Sequence, residues 1–105
     1  NMKNDGETSD IIRKRVIAAR KIQLERYKND NIYTNSELTP KLIKKYCKID
    51  DEIKALLKGA INRFNLSARS YDRLLKISRT IADLDGSDDI KQEHIIKALT
   101  FRGLN

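Results

Sequence analysis

Apolar side chains in the first part of the chain recur at the three- and four-residue spacing of an amphipathic helix. The stripe is carried by Ile12, Val16, Ala19, Gln23 and Tyr27, and it is broadened by Ile11, Ala18, Ile22 and Leu24. Ser9 or Asp10 can cap this helix, and we expect it to end near Lys28. Residues 1–8 are polar and offer nothing to bury, which predicts a flexible leader before one helical domain at 9–105.

A polar, turn-rich segment at 29–38 separates this helix from the next, and we expect Ile32 and Tyr33 to turn inward from it. A threonine–proline pair at 39–40 is a typical helix start, because the hydroxyl caps free amides and proline fits the first helical position. The second helix then carries an apolar face of Leu42, Ile43, Tyr46 and Cys47. On that face Cys47 is predicted to be a core residue rather than a nucleophile.

The third and fourth helices have clear start and stop signals. The third is expected to start at Asp50 or Asp51 and to stop at Asn65, which tolerates the left-handed conformation. The fourth is expected to start at Ser67 and to end at the Asp-Gly pair at 85–86. The inward positions are Ile53, Leu56, Leu57, Ala60, Ile61 and Phe64 in the third helix and Tyr71, Leu74, Leu75, Ser78, Ile81, Ala82 and Leu84 in the fourth.

A fifth helix, from about Lys91 to Phe101, completes the pattern. Its inward positions are Ile95, Ile96, Ala98 and Leu99. No stretch shows the alternation of a strand, so the sequence predicts an all-α fold, a five-helix bundle. No run approaches the roughly 20 apolar residues that span a membrane. With one cysteine and therefore no internal disulfide, we expect a cytoplasmic protein.

The distribution of charge adds a candidate interaction. The formal net charge is +7, and the whole excess lies between Asp10 and Lys48. Within that stretch, the candidates for contact with nucleic-acid phosphates are Arg13, Lys14, Arg20, Lys21, Lys44 and Lys45. A solvated helix face rich in lysine explains the same charge, and composition alone favours that explanation.

Few side chains offer catalytic or metal chemistry. The one histidine, His94, is expected to be partly packed at the surface of the fifth helix. Acidic residues crowd the end of the fourth helix at Asp83, Asp85, Asp88 and Asp89. They lack the spacing of a calcium loop and are interpreted as a helix stop and a loop, so no metal site is predicted. The solvated side of the same helix is predicted to carry Arg73, Lys76 and Arg79. No phosphate loop or hydrolase motif is present, so we expect no enzyme activity from this chain alone.

Arg69 is the residue with the clearest functional interpretation. If Ser67 is the cap, Arg69 lies at the second position of a helix, where free amides point outward and the helix dipole is positive. A cation is unfavourable there unless an anion binds, since the amides and the guanidinium can converge on one phosphate. The alternative is a surface ion pair with Asp72, and position alone favours that alternative.

Two runs of sequence, NLSARSY at 65–71 and SRTIADLDG at 78–86, resemble the lid helix of magnesium-chelatase-like AAA+ ATPases. Within that family they are most similar to the ComM (YifB) branch. The run IKQEHIIKAL at 90–99 is similar to the helix that closes the same domain. The resemblance extends over about residues 11–102, and it departs from the family pattern at Gln92, where a proline often stands.

The resemblance implies the lid of a ring-forming ATPase, usually a hexamer, whose N-terminal core binds ATP and Mg²⁺. In this family the arginine of the S-x-R motif is the sensor-2 residue that reads the γ-phosphate. The resemblance implies that this residue is Arg69 here, with Ser67 supporting the helix start, and it leaves open whether Arg69 acts on the nucleotide of its own or of a neighbouring subunit. The ComM branch is linked to DNA branch migration during transformation, whereas the true chelatases insert magnesium into porphyrin.

Two other functions fit the same sequence. The basic first half favours a stand-alone helical module that binds DNA, which would show a steep dependence of binding on salt. The other is a purely structural oligomerisation domain, in which Arg69 is paired with an acid and its replacement leaves ATP turnover unchanged.

Overall fold

Five α-helices make up most of the chain in this computed structural model, which describes the backbone of residues 2–103 and the side chains of residues 9–101. They are α1 (Met2–Arg26), α2 (Pro40–Tyr46), α3 (Asp51–Arg63), α4 (Ala68–Leu84) and α5 (Gln92–Gly103). A short 3₁₀ turn, Asn35–Glu37, lies between α1 and α2. No strand occurs within residues 2–103, so the predicted all-α fold with five helices is confirmed.

The first helix ends at Arg26, close to the predicted end at Lys28. It begins at Met2 and contains Ser9 and Asp10 in its interior, so the predicted start at Ser9 or Asp10 is wrong. The predicted leader, residues 1–8, lies outside the residues whose side chains are described, so the division of the chain into a leader and a domain stays a prediction.

The starts of α2 and α3 follow the predicted capping residues. The hydroxyl of Thr39 accepts a hydrogen bond from the Leu42 amide at 3.4 Å at the start of α2. The carboxylate of Asp50 accepts one from the Ile53 amide at 2.8 Å at the start of α3. Asp50 is therefore the cap of α3, and Asp51 is its first helical residue.

The helix stops also follow the sequence. Asn65 has a φ of 54°, and beyond it the Leu66 amide donates to the Ile61 carbonyl at 2.9 Å, which closes the end of α3. Gly86 has a φ of 69° and closes the end of α4 in the same way. A residue with a Cβ is strained at such angles, which explains why asparagine and glycine occupy these positions.

The core is built around α4, which contacts each of the other four helices. The buried apolar residues of the core are Tyr27, Leu38, Ile43, Cys47, Ile53, Leu57, Leu74, Leu75, Ala82, Ile90, Ile95 and Ala98. Leu57 and Ile95 are fully buried, and burying a side chain of this size contributes about 1.5–3 kcal/mol. Cys47 is buried as predicted, and this burial raises the pKa of its thiol to about 11.

Several predicted inward positions are exposed instead. Tyr33 is 65% exposed because its loop turns it to solvent, and only Ile32 of that pair packs against the core. Phe64 is 52% exposed, since it follows the last turn of α3 as its C-terminal cap. Ile96 is 50% exposed, one position away from the buried face of α5. On α1, where the buried side is narrow, the predicted inward residues that are exposed are Ile11, Ile12, Ala18, Ile22 and Leu24, and Ile17 is exposed as well.

Candidate functional site

The start of α4 has the geometry that the sequence predicts. Ser67 is the cap, and its hydroxyl accepts a hydrogen bond from the Ser70 amide at 3.3 Å. Arg69 is the second residue of the helix, and its side chain is exposed. The cation therefore stands in the first turn of a helix of 17 residues, at the positive end of the helix dipole.

Arg69 and Asp72 do not form the surface ion pair that the sequence allowed. Among the side chains of residues 9–101, the guanidinium of Arg69 has neither a salt bridge nor a hydrogen bond. Asp72 is half-buried on the same helix. The donors of Arg69 are thus free to bind an anion without first breaking an ion pair within this part of the chain.

The opposite end of α4 carries a buried carboxylate, Asp83, which is 2% exposed. Arg26 of α1 binds it with both guanidinium nitrogens, Nη2 donating to Oδ1 at 2.6 Å and Nη1 donating to Oδ2 at 3.0 Å. Arg79, one turn earlier on α4, donates from Nε to Oδ1 at 3.2 Å. Two guanidinium groups therefore share one carboxylate in the interior.

Neutral side chains complete this arrangement. Asn35 Nδ2 and Gln23 Nε2 donate to Asp83 Oδ2 at 2.9 and 3.2 Å. The Asn35 amide donates to Gln23 Oε1 at 3.3 Å, and the Tyr27 hydroxyl bonds to Asn35 Oδ1. Together these residues form the Asp83 network: Gln23, Arg26, Tyr27, Asn35, Arg79 and Asp83. The network joins α1, the 3₁₀ turn and α4 through side chains that are all buried or partly buried.

Two predictions for α4 are wrong because of this network. Arg79 was expected on the solvated side, but it is 4% exposed, and its remaining donors bind the carbonyls of Ser87 at 2.9 Å and Asp88 at 3.0 Å. Asp83 was interpreted as part of a helix stop, but it lies inside α4 and faces inward. The available signal was their spacing, because Arg79 and Asp83 are four residues apart and share the inward phase of Leu75.

Charge within the network favours the protonated form of Arg26. Burial alone lowers the pKa of the guanidinium, but the hydrogen bonds to Asp83 and Tyr27 and the charge of Asp83 together raise it above its usual value. Arg26 remains a cation at every physiological pH. The network therefore contains two positive charges, on Arg26 and Arg79, and one negative charge, on Asp83.

His94 is fully buried, so the prediction of a partly packed surface histidine is wrong. Its Nδ1 accepts a hydrogen bond from the Lys91 amide at 2.9 Å, as a capping side chain does at the third position of a helix. In the neutral ring the proton is therefore on Nε2, which lies 3.1 Å from Asp85 Oδ2 and donates to it. This bond lowers the pKa of Asp85 below its usual value of 3.8.

His94 and Asp85 also form a cluster with Glu93, in which the atoms that could bind a metal ion lie within 4.8 Å of one another. A metal ion on His94 Nε2 would require the proton on Nδ1, where the Lys91 amide already donates. The cluster is thus arranged as a helix cap, and the ring has no free nitrogen for a cation.

The six basic candidates for nucleic-acid contact are all exposed. On α1 they form two rows, Arg13 with Arg20 and Lys14 with Lys21. The two residues of each row are seven positions apart, which is about 10 Å along a helix. Lys44 and Lys45 lie on α2, where Lys45 Nζ is 4.0 Å from Asp30 Oδ1. Of the other basic residues of α4, Arg73 is exposed and Lys76 is half-buried.

None of the helices in the described part of the chain combines the length and apolar character that a bilayer span requires.

The chain matches the family described as "Magnesium chelatase, subunit ChlI C-terminal" over residues 6–102. The match covers nearly the whole chain, which therefore belongs to this family as a C-terminal domain of the magnesium-chelatase-like type.

Individual relatives show which members of this family the chain is similar to. The competence protein ComM of Haemophilus influenzae is 43% identical over 99% of this chain and 20% of its own length. The uncharacterized protein YifB of Escherichia coli is 38% identical over 95% of this chain and 19% of its own length. The uncharacterized protein Rv2897c of Mycobacterium tuberculosis is 31% identical over 93% of this chain. The chain thus spans about a fifth of the length of these relatives. No solved structure showed a significant match.

Proposed function

We propose that this domain is the lid of an AAA+ ATPase, in which Arg69 contacts the terminal phosphate of ATP and senses its loss on hydrolysis. The observation that carries the proposal is the exposed guanidinium in the first turn of α4, with no partner among the described side chains. Next to helix-start amides, a guanidinium gains most from a bound phosphate. ATP and its Mg²⁺ are held by the remainder of the protein, and Arg69 supplies one contact from the lid.

Exposed apolar side chains on α1 support contacts with the remainder of the protein and with neighbouring subunits of a ring, which we propose to be a hexamer. Five large apolar residues on this helix are at least 40% exposed: Ile11, Ile12, Ile17, Ile22 and Leu24. They make up five of the nine large apolar side chains that are exposed among the described residues, and large exposed apolar surfaces mark contacts between proteins. A cytoplasmic location follows from the proposal, because ATP is supplied there.

The substrate that we propose for the whole protein is DNA, moved by branch migration as in transformation. The support is the word competence in the name of the Haemophilus influenzae relative and the four exposed basic residues of α1. Exposed cations along one helix can contact the phosphates of a nucleic-acid strand. A second candidate is a module that binds DNA without ATP sensing, which the same exposed rows favour.

ATP turnover by the full-length protein tests the sensor. Arg69→Ala is expected to slow turnover by roughly 100- to 1000-fold, because one preorganised donor to a charged transition state is lost. Arg73→Ala, which removes an exposed arginine one turn further along α4, is the matched control and should keep the wild-type rate. Light scattering on both variants checks that the ring still assembles.

The outcomes separate the candidate functions. Unchanged turnover in Arg69→Ala would exclude the sensor and leave a structural domain. Stimulation of the wild type by branched DNA would support DNA as the substrate. DNA binding that falls steeply with salt and is lost in Arg13→Gln/Arg20→Gln, together with unchanged turnover in Arg69→Ala, would establish the binding module instead.

A further inference from the structure

The Asp83 network contains one more positive charge than its carboxylate needs. Arg79 alone neutralises Asp83, and its other donors are taken by the Ser87 and Asp88 carbonyls. The second guanidinium, Arg26, comes from a different helix and makes the shortest of the bonds to Asp83, at 2.6 Å. Its role is therefore more than charge balance, because it links α1 to α4.

The link lies at the end of α4 that is remote from Arg69. Arg69 and Asp83 are 14 residues apart, which is about 21 Å along a helix axis. An uninterrupted helix of 17 residues moves as a rigid rod, so a change of tilt at one end displaces the other. The position of Arg69 thus depends on how the Asp83 end of α4 is held.

In a C-terminal domain, α1 is the helix closest in sequence to the remainder of the protein. The large apolar residues Ile11, Ile12, Ile17, Ile22 and Leu24 of this helix are exposed. A rearrangement of the remainder of the protein reaches this helix first. From α1 it can pass to α4 through Arg26 and, next to it, Gln23, since both bind Asp83.

We propose that Arg26 is a positioning residue for the nucleotide sensor: its two-pronged bond to Asp83 fixes α1 to α4 and thereby sets the place of Arg69. The inference rests on the proposed function of Arg69. Arg26→Gln breaks this link and leaves Arg79 and Asp83 as a balanced buried pair. The variant therefore loosens the connection between the helices without creating an unpaired buried charge.

The experiment measures ATP turnover of the full-length protein for wild type, Arg26→Gln, Arg69→Ala and the double variant. Arg15→Gln is the matched control, an exposed arginine of α1 outside the network. Arg26→Gln is expected to lower kcat by roughly 2- to 30-fold with little change in the KM for ATP. The double variant should be no slower than Arg69→Ala, because Arg26 acts only through Arg69.

Two results would overturn the inference about Arg26 and leave the proposed function of Arg69 intact. One is a turnover in Arg26→Gln equal to that of Arg15→Gln while Arg69→Ala is slow. The other is a double variant in which the two losses multiply, which would make Arg26 an independent structural residue. If Arg69→Ala keeps the wild-type rate, the proposed function fails first and this inference fails with it.

A second variant covers the case in which Arg26→Gln does not fold. Arg26→Lys keeps the charge but cannot bind both carboxylate oxygens with one planar group. It should lower kcat in the same direction and by less, with a thermal midpoint close to that of the wild type. A wild-type kcat in Arg26→Lys and a folded Arg26→Gln with full activity would both contradict the positioning role.

Discussion

Arg69 and Arg79 occupy opposite parts of α4, and each has an acid three or four residues further on. Arg79 is 4% exposed and pairs with Asp83 at 3.1 Å, whereas the exposed Arg69 makes no pair with Asp72 among the described residues. Spacing permits an ion pair at both places, and burial decides between them. In the interior an unpaired charge costs several kcal/mol, while at the surface a pair is worth about 0–1 kcal/mol. The arginine of the buried pair, Arg79, is therefore structural, whereas the exposed Arg69 at the start of α4 is available to a ligand.

Removing the buried acid should have the largest effect on stability. Asp83→Ala leaves two guanidinium groups near each other without a carboxylate, and we expect the free energy of unfolding to fall by about 3–5 kcal/mol. Urea denaturation followed by circular dichroism measures it. Asp72→Ala on the same helix should change stability by no more than about 0.5 kcal/mol. Similar losses in the two variants would show that burial does not distinguish the two ends.

The cap at the exposed end should matter less. Ser67→Ala removes the acceptor for the Ser70 amide, and we expect a loss of about 1 kcal/mol in the free energy of unfolding. Ser67→Asp keeps an acceptor and adds a charge of the favourable sign at the helix start, so it should be as stable as the wild type. A Ser67→Asp variant as unstable as Ser67→Ala would mean that the hydroxyl does more than cap α4.

The smallest effect is expected from the exposed carboxylate that follows α4. The hydrogen bond from His94 lowers the pKa of Asp85 in the folded state, with smaller help from the charges of His94, Lys97 and Arg15. Ionised Asp85 therefore stabilises the fold at pH values above its usual pKa of 3.8, and this contribution is lost as the pH falls through the lower folded pKa.

Comparison of Asp85→Asn with wild type across pH tests this linkage. The variant should be less stable near neutral pH, and the difference should vanish in strong acid, where both side chains are neutral. Asp88→Asn, which changes a neighbouring exposed acid, serves as the control. A stability difference for Asp85→Asn that is independent of pH would contradict the pairing with His94.

Local signals predicted the starts and stops of α2, α3 and α4 well. The caps Thr39, Asp50 and Ser67 and the stops at Asn65 and Gly86 all depend on chemistry within a few residues of the helix ends, so one sequence contains the whole cause. The identity of Arg69 as an exposed residue in the first turn of α4 followed from the position of Ser67.

The Asp83 network could not be predicted in the same way. Arg26 and Asp83 are 57 residues apart, and no periodicity in either helix indicates that they meet. Asn35 lies in the polar segment at 29–38, and the apolar pattern there does not predict that this side chain is buried. His94 was misplaced for a related reason, because its burial depends on two hydrogen bonds that satisfy both ring nitrogens. Apolar periodicity alone treats such residues as surface.

The buried thiol of Cys47 is a natural chemical probe for local opening of this domain. It is the one cysteine of the sequence, 3% exposed, with a pKa raised to about 11 by burial. Only the thiolate reacts with alkylating reagents at useful rates, so the closed domain is nearly inert to them. The rate at which Cys47 is modified therefore measures how often the contact between α2 and α4 breaks, without an added label.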